Sequence, residues 1–193
     1  MTIAALAALA LATAGPAAEP VAPPDPVSVS ATMADGAHVL VHEVVIEAPA
    51  SEVWEAVATA RGWTTWAVPV AWQERDILET SYSAAASPGD ATTIRQQILV
   101  SEPGRRLVFR TVKAPDGFPH FDAYREVVNT ITLEPMGEDR TRVRLTGTGY
   151  PDSEAGRVLL GFFREGNRAT LEQLRERFVS GPIDWNARAS SAD

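Results

Sequence analysis

VVIEAPASEVWEAV, residues 44–57, changes its hydrophobic period at Pro49, and that change decides the fold. Upstream, Val39–Ile46 is rich in Val and reads as a strand. Proline cannot continue the ladder and ends it. Downstream, Val53, Trp54, Val57 and Ala60 recur at helical spacing, and Ser51 is a candidate cap. This helix runs from Ala50 to about Ala60. Gly62 interrupts it, and Trp63-Thr-Thr-Trp66 forms a second short helical turn before Pro69.

Beyond Pro69 the period becomes two. Strands are predicted over Val70–Arg75, Ile77–Ser83, Thr92–Val100, Arg106–Lys113, Tyr124–Leu133 and Arg142–Thr148. Between them lie Ser87-Pro-Gly-Asp90, Glu102-Pro-Gly104, Pro115-Asp-Gly117 and Met136-Gly-Glu-Asp139. Pro presets φ, Gly admits positive φ and Asp bonds its own backbone, so these are hairpin turns. The last element is a long helix from Asp152 or Ser153 to about Phe178, stopped by Gly181-Pro182. Its apolar stripe reads as Ala155, Leu159, Phe162, Gly166, Ala169 and Gln173, widened by Val158, Leu174 and Phe178.

Outside this region the composition shifts. Residues 2–14, TIAALAALALATA, form a short apolar run with an A-x-A pattern at Ala12 and Ala14. They read as a secretory signal peptide over 1–14, so an exported, periplasmic or secreted protein is expected. No Lys or Arg precedes the run; either the α-amino group is the whole positive region or the true start lies upstream. The run is shorter than the ~20 residues a membrane span needs, and no other stretch reaches that length. Residues 15–36 hold five prolines among Ala and Val and read as a linker. The folded domain is expected over 37–180 and a flexible polar tail over 181–193.

The chain of 193 residues carries a formal charge of -8, so phosphate backbones repel it and nucleic acid is a poor partner. Cysteine is absent, which removes disulfides, thiol nucleophiles and thiolate metal sites. Of the three histidines, His38 and His42 lie four apart on a strand, roughly 13 Å, too far to share an ion. Neither a zinc pattern nor a nucleophile elbow nor a phosphate loop is present, and no metal or cofactor is expected.

Strand, two short helices, antiparallel strands in series and one long helix: this order, with residues 44–57, Trp63-Thr-Thr-Trp66, Glu102-Pro-Gly-Arg-Arg-Leu-Val-Phe109, Gly161-Phe-Phe163 and Leu171-Glu-Gln-Leu174, resembles the START-like or SRPBCC helix-grip superfamily. Within it, the chain is most similar to the polyketide cyclase-like bacterial branch that includes homologues of heat-shock-protein ATPase activators. The resemblance implies an α+β fold, a curved antiparallel sheet of about six or seven strands wrapped on the C-terminal helix. It implies a cavity between them for a lipid, polyketide or aromatic molecule, and it carries no shared catalytic residue.

Strand alternation supplies candidate polar groups for that cavity. Gln96 sits among Ile94, Ile98 and Val100; Asn129 among Val127, Ile131 and Leu133; His42 among Leu40, Val44 and Ile46. Each could hold the polar end of a ligand or satisfy a backbone group. Trp63, Trp66, Phe109, Phe162 and Gly166 complete the expected lining, whereas Trp54, mid-helix on the apolar face, reads as core. Small residues in the long helix, Gly161, Gly166 and Ala169, would leave volume rather than fill it. Binding of a small apolar molecule is the expected function. The alternatives are a cyclase, dehydratase or isomerase using His42 or a buried carboxylic acid as general acid–base, and a protein-interaction module like the chaperone activators.

Overall fold

Asp35-Gly36 opens the sheet. Both residues have positive φ, 51° and 76°, as a two-residue hairpin turn between twisted strands demands. They join β1 (Ser28–Ala34) to β2 (Ala37–Ile46), with Ala34 opposite Ala37. The computed structural model describes residues 26–190. The signal peptide expected over 1–14 and residues 15–25 of the expected linker lie outside the described residues. Residues 28–34, also expected to be linker, are instead an edge strand. The prolines end at Pro26, and the Asp-Gly turn then folds the segment back on β2.

After β2 come α1 (Ala50–Ala58) and α2 (Ala60–Trp63), the two expected short helices. Pro49 rather than Ser51 occupies the cap of α1, with no side-chain bond there, whereas Thr59 caps α2 by accepting from the Gly62 amide. Six strands follow, interrupted once: β3 (Val70–Glu74), β4 (Ile77–Ser81), β5 (Ile94–Glu102), β6 (Arg106–Lys113), then α3 (Phe121–Tyr124), β7 (Val128–Pro135) and β8 (Thr141–Pro151). Residue 124, expected to begin a strand, ends α3 instead. His120 adopts φ 55° and turns the chain into that helix.

Among the described residues the sheet thus has eight strands, one or two more than expected, in the order β1-β2-β8-β7-β6-β5-β4-β3, and each of these pairings is antiparallel. Register shifts leave Gly149 of β8 extra opposite His38/Val39, Val112 of β6 extra opposite Arg95/Gln96, and Leu99 of β5 extra between Ile98 and Val100. Bulges of this kind increase twist and curl a sheet toward one face. Into that concave face lies α4 (Glu154–Ser180), 27 residues, capped by Ser153 Oγ accepting from the Gly156 amide. It packs chiefly on β2 and β8.

The main core lies where α1, β2, β6, β7, β8 and the C-terminal half of α4 meet, and includes Val53, Trp54, Val57, Leu107, Ile131, Val143, Leu171 and Leu174. Trp54 is therefore core, as its helical position predicts. A second cluster, Leu40, Val127, Tyr150 and Leu159, packs under the N-terminal half of α4. The expected fraying tail is docked over its described part. α5 (Trp185–Ser190) follows Gly181, the Ile183 amide donates to the Thr65 carbonyl, and Trp185 Nε1 donates to the Thr64 carbonyl.

Candidate functional site

Between the two core clusters the sheet and α4 separate, leaving a cavity of about 390 Å³. The register of the sheet explains its floor. Phe109 on β6, Asn129 on β7 and Gly147 on β8 are paired in one row, and Leu40 on β2 continues it. Alternation turns this row inward, together with Thr111 and Ile131, which lie two positions along. From the start of β5 come Ile94 and Gln96.

Trp63 and Trp66 form one wall, with ring centroids 5.3 Å apart. Each indole N–H turns back to α1: Trp63 Nε1 donates to the Val57 carbonyl and Trp66 Nε1 to the Ala56 carbonyl, at 2.7 and 2.9 Å. Their polar tips are satisfied in the protein, which leaves apolar ring surface for the cavity. Gln173 on α4 donates to the Trp66 carbonyl and fixes the same turn from the other side.

At the opposite end, four aromatic residues converge. Tyr124 stacks on Phe163 at 4.3 Å, and Phe118 meets Phe162 edge-on at 5.9 Å. Phe162 is 58% exposed and Tyr82, across the opening, is 73% exposed, so both belong to the mouth. The β4–β5 loop behind Tyr82 is pinned. Glu79 accepts from the Gly89 amide, and Lys113 Nζ donates to the Asp90 carbonyl and to both oxygens of Thr93.

The roof is α4. Beyond its own helix backbone, a Cβ on Gly166 would meet no atom of the described residues within 4 Å, and Gly166 lines the cavity, so the absent side chain is cavity volume. The other two small residues read as cavity-facing are corrected: Gly161 and Ala169 face solvent. The inward stripe is Gly156, Leu159, Phe163, Gly166, Asn167, Thr170, Leu171 and Leu174, rotated from the expected one. The cavity removes the requirement for large apolar residues, so Gly166, Asn167 and Thr170 interrupt the hydrophobic signal on the face that points inward.

Seven of the residues proposed from sequence line one cavity: Trp63, Trp66, Gln96, Phe109, Asn129, Phe162 and Gly166. His42 lies outside this lining. Its parity was read correctly, since it is inward-facing and 0% exposed, but its ring reaches α4, where Nε2 lies 2.9 Å from the Arg164 carbonyl. Burial holds its pKa below the ordinary value. The bond to the Arg164 carbonyl opposes that shift, the Arg164 charge adds to it and the Glu165 charge opposes it. Tyr82, Thr111, Phe118 and Tyr124 were missed. Alternation in β6 (Leu107, Phe109, Thr111) would have found Thr111.

Polar groups gather at the Tyr124 end. The Tyr124 hydroxyl lies beside the Thr111 hydroxyl and the Asn129 amide; burial raises its pKa and these two neighbours partly oppose the rise. Asn129 is 5% exposed, and its Nδ2 has no hydrogen-bond partner among the described residues. The same holds for Tyr150 Oη, whose pKa burial pushes far up. Among the described residues, no charged side chain lines the cavity. Among the described residues there is no group of three metal-ligating side chains, and no helix is long and apolar enough to cross a membrane.

Residues 37–179 match the family model described as polyketide cyclase / dehydrase and lipid transport. No curated protein matches the chain. Solved structures with the same fold include the Aha1 dimer from Colwellia psychrerythraea, 14% identical, covering 74% of this chain and 97% of that one at TM-score 0.56. CalU16 from Micromonospora echinospora is 21% identical and covers 86% of this chain and 90% of its own, at TM-score 0.55. Norcoclaurine synthase from Thalictrum flavum, in complex with dopamine and hydroxybenzaldehyde, is 14% identical and covers 79% and 88%, at TM-score 0.52. At these identities the likeness is one of fold.

Proposed function

Because the chain belongs to the polyketide cyclase / dehydrase and lipid transport family, we propose that it binds a small hydrophobic molecule between its sheet and α4. The observation that carries this reading is the cavity of about 390 Å³, walled mainly by aromatic and aliphatic side chains and roofed at Gly166 by open space. Its volume falls in the range of small-molecule sites, which are mostly apolar with a few placed polar groups. The size and lining suit one molecule of a few fused rings rather than a long acyl chain.

Turnover as a cyclase, dehydratase or isomerase is the second reading, and the family description admits it. It would need a proton-transferring group at the substrate. His42 is held at Arg164 away from the lining, and among the described residues no carboxylate lines the cavity. The hydroxyl groups of Tyr82 and Tyr124 are what a reaction would have to use. This favours binding over acid–base chemistry. A protein-interaction role by analogy with Aha1 rests on fold alone.

Native mass spectrometry of protein purified from its own host tests the proposal, with a co-purifying neutral small molecule as the expected result. A bare mass, together with no uptake of dimethylaminonaphthalene as a fluorescent apolar probe, would overturn it. Export is part of the same proposal: the chain recovered from the periplasm should begin after residue 14, and an uncleaved chain retained in the cytoplasm would remove that part.

A further inference from the structure

Asn129 presents a buried donor with no acceptor in hydrogen-bond geometry among the described residues. Its Oδ1 faces Gly147, lying 3.3 Å from where a Cβ on that glycine would sit. The other branch, Nδ2, therefore points away from β8 and lies beside the Tyr124 hydroxyl, near enough to favour its oxygen, but closes no hydrogen bond of good geometry among the described residues. A buried amide N–H left without an acceptor is costly, so native structures rarely keep one without a purpose.

The groups beside it decide what it can take. Thr111 can donate its hydroxyl proton to Tyr124 Oη, which frees the Tyr124 proton to point elsewhere. Tyr124 O–H and Asn129 N–H are then two donors facing one end of an apolar cavity. A carbonyl oxygen, with two lone pairs in a plane, accepts both. A carboxylate, phosphate or sulfate would leave water for a site in which no cation among the described residues lines the wall, at a large desolvation cost, and the chain's net charge of -8 repels it further. An ammonium group would meet donors.

Resting on the reading of the cavity as a hydrophobic ligand site, we propose that Asn129 and Tyr124 form a two-donor clamp for the carbonyl oxygen of a neutral, flat ligand, a ketone or quinone on a hydrocarbon frame. The Trp63–Trp66 wall takes the frame, and the clamp sets which end of the molecule enters first. Both residues are specificity-determining: they select the oxygenated ligand over the hydrocarbon of the same shape.

Prodan, a neutral naphthyl ketone whose emission shifts to the red when its carbonyl accepts hydrogen bonds, tests this against dimethylaminonaphthalene, which has the same frame without the ketone. Wild-type protein should bind both and prefer Prodan, with hydrogen-bonded emission. Asn129→Leu and Tyr124→Phe should each weaken Prodan by about five- to tenfold, as expected for one lost hydrogen bond. Each should also move its emission to the blue and leave dimethylaminonaphthalene within about twofold, the size of change an intact apolar wall permits. Tyr124→Phe preserves the stack on Phe163, so it keeps the test open if Asn129→Leu fails to fold. Unshifted emission in both variants, equal loss of both probes, or naphthoate binding more tightly than Prodan would overturn the clamp while the cavity reading stands. Failure of wild-type protein to bind either probe would remove the cavity reading, and the clamp with it.

Discussion

Gly147 lies directly opposite Asn129 in the β7–β8 ladder, and its missing side chain is what lets Tyr150 lie across the sheet beside the Asn129 amide. A Cβ on Gly147 would stand 2.8 Å from Tyr150 Oη and 2.9 Å from Tyr150 Cε2. Tyr150 is fully buried and packed with Leu40, Val127 and Leu159, so it cannot swing aside. Gly147→Ala should therefore overpack this point and cost about 1–3 kcal/mol. Tyr150→Phe should be neutral or slightly stabilising, because it removes a buried hydroxyl that has no partner among the described residues. Urea denaturation of the two variants checks both signs. A Tyr150→Phe loss as large as that of Gly147→Ala would show that Oη is bonded after all.

Gly166 and Gly62 should respond in opposite ways to the same substitution. Around Gly166 nothing of the described residues beyond its own helix backbone lies within 4 Å of where a Cβ would sit, and the residue is mid-helix. Gly166→Ala should gain up to about 1 kcal/mol from helix propensity. Gly166→Leu should keep the melting temperature and reduce probe uptake by occupying the cavity. At Gly62 a Cβ would lie 1.9 Å from the Glu55 carbonyl oxygen and 2.7 Å from that of Ala56. These are backbone atoms of α1, so α2 would have to move. Gly62→Ala should cost at least about 3 kcal/mol, at the upper end of overpacking, and disturb the Trp63–Trp66 wall that follows. Thermal melts with intrinsic tryptophan fluorescence distinguish the cases.

His42 should make the protein less stable in mild acid. Its Nε2 hydrogen bond to the Arg164 carbonyl requires the proton on Nε2, and its buried Nδ1 has no partner among the described residues. Burial lowers the folded pKa from the ordinary 6.5. Between the folded value and 6.5 the unfolded chain binds more protons than the folded one, so stability falls as pH falls. The contribution is fully present above about 6.5, is lost as pH drops toward the folded pKa, and levels off below it. His42→Gln keeps a neutral donor near Arg164 and should flatten the stability–pH slope between about pH 6.5 and 5, above the main carboxylate titration. The wild-type slope from this group is at most about 1.4 kcal/mol per pH unit. Identical slopes in the two proteins would refute the assignment.

Where the sequence was legible, a local rule and the tertiary contact agreed. Alternation placed Gln96, Phe109 and Asn129 on the inner face because β6 and β7 each have one buried side and β5 one half-buried side. The Pro49 period change marked the strand-to-helix step correctly. The inner face of α4 was misread because a cavity spares that face from carrying large apolar residues: Gly166, Asn167 and Thr170 point inward while Phe162 stands at the mouth. β1 was missed because the composition of Pro16 to Pro26 was extended over residues 28–34, although Asp35-Gly36 is a hairpin signal. Tyr124 was placed on a strand because nothing local announces that His120 turns left-handed. His42 was read correctly as inward and wrongly as cavity-lining, since hydropathy cannot say which carbonyl of α4 will sit above it.

The tail should matter to the cavity despite lying outside it. Thr64 and Thr65 belong to the turn that carries Trp63 and Trp66, and their carbonyls would otherwise face water at the end of α2. Trp185 Nε1 takes the first at 2.7 Å and the Ile183 amide takes the second at 2.9 Å. Both bonds come from residues that follow Gly181, whose φ of 89° breaks α4 and turns the chain back toward the turn. Truncation after Pro182 removes both bonds and the apolar cover of the Trp185 ring. Two net hydrogen bonds at about 1 kcal/mol each, plus part of one buried aromatic, predict a loss of about 2–4 kcal/mol. Trp185→Phe keeps the cover and the backbone bond, so it should lose only about 1 kcal/mol. Because the tail touches the wall and not the cavity, truncation should speed probe release more than it slows uptake, which stopped-flow fluorescence with dimethylaminonaphthalene measures. Unchanged release in the truncated protein would mean that α1 and Gln173 hold the Trp63–Trp66 turn without help from the tail.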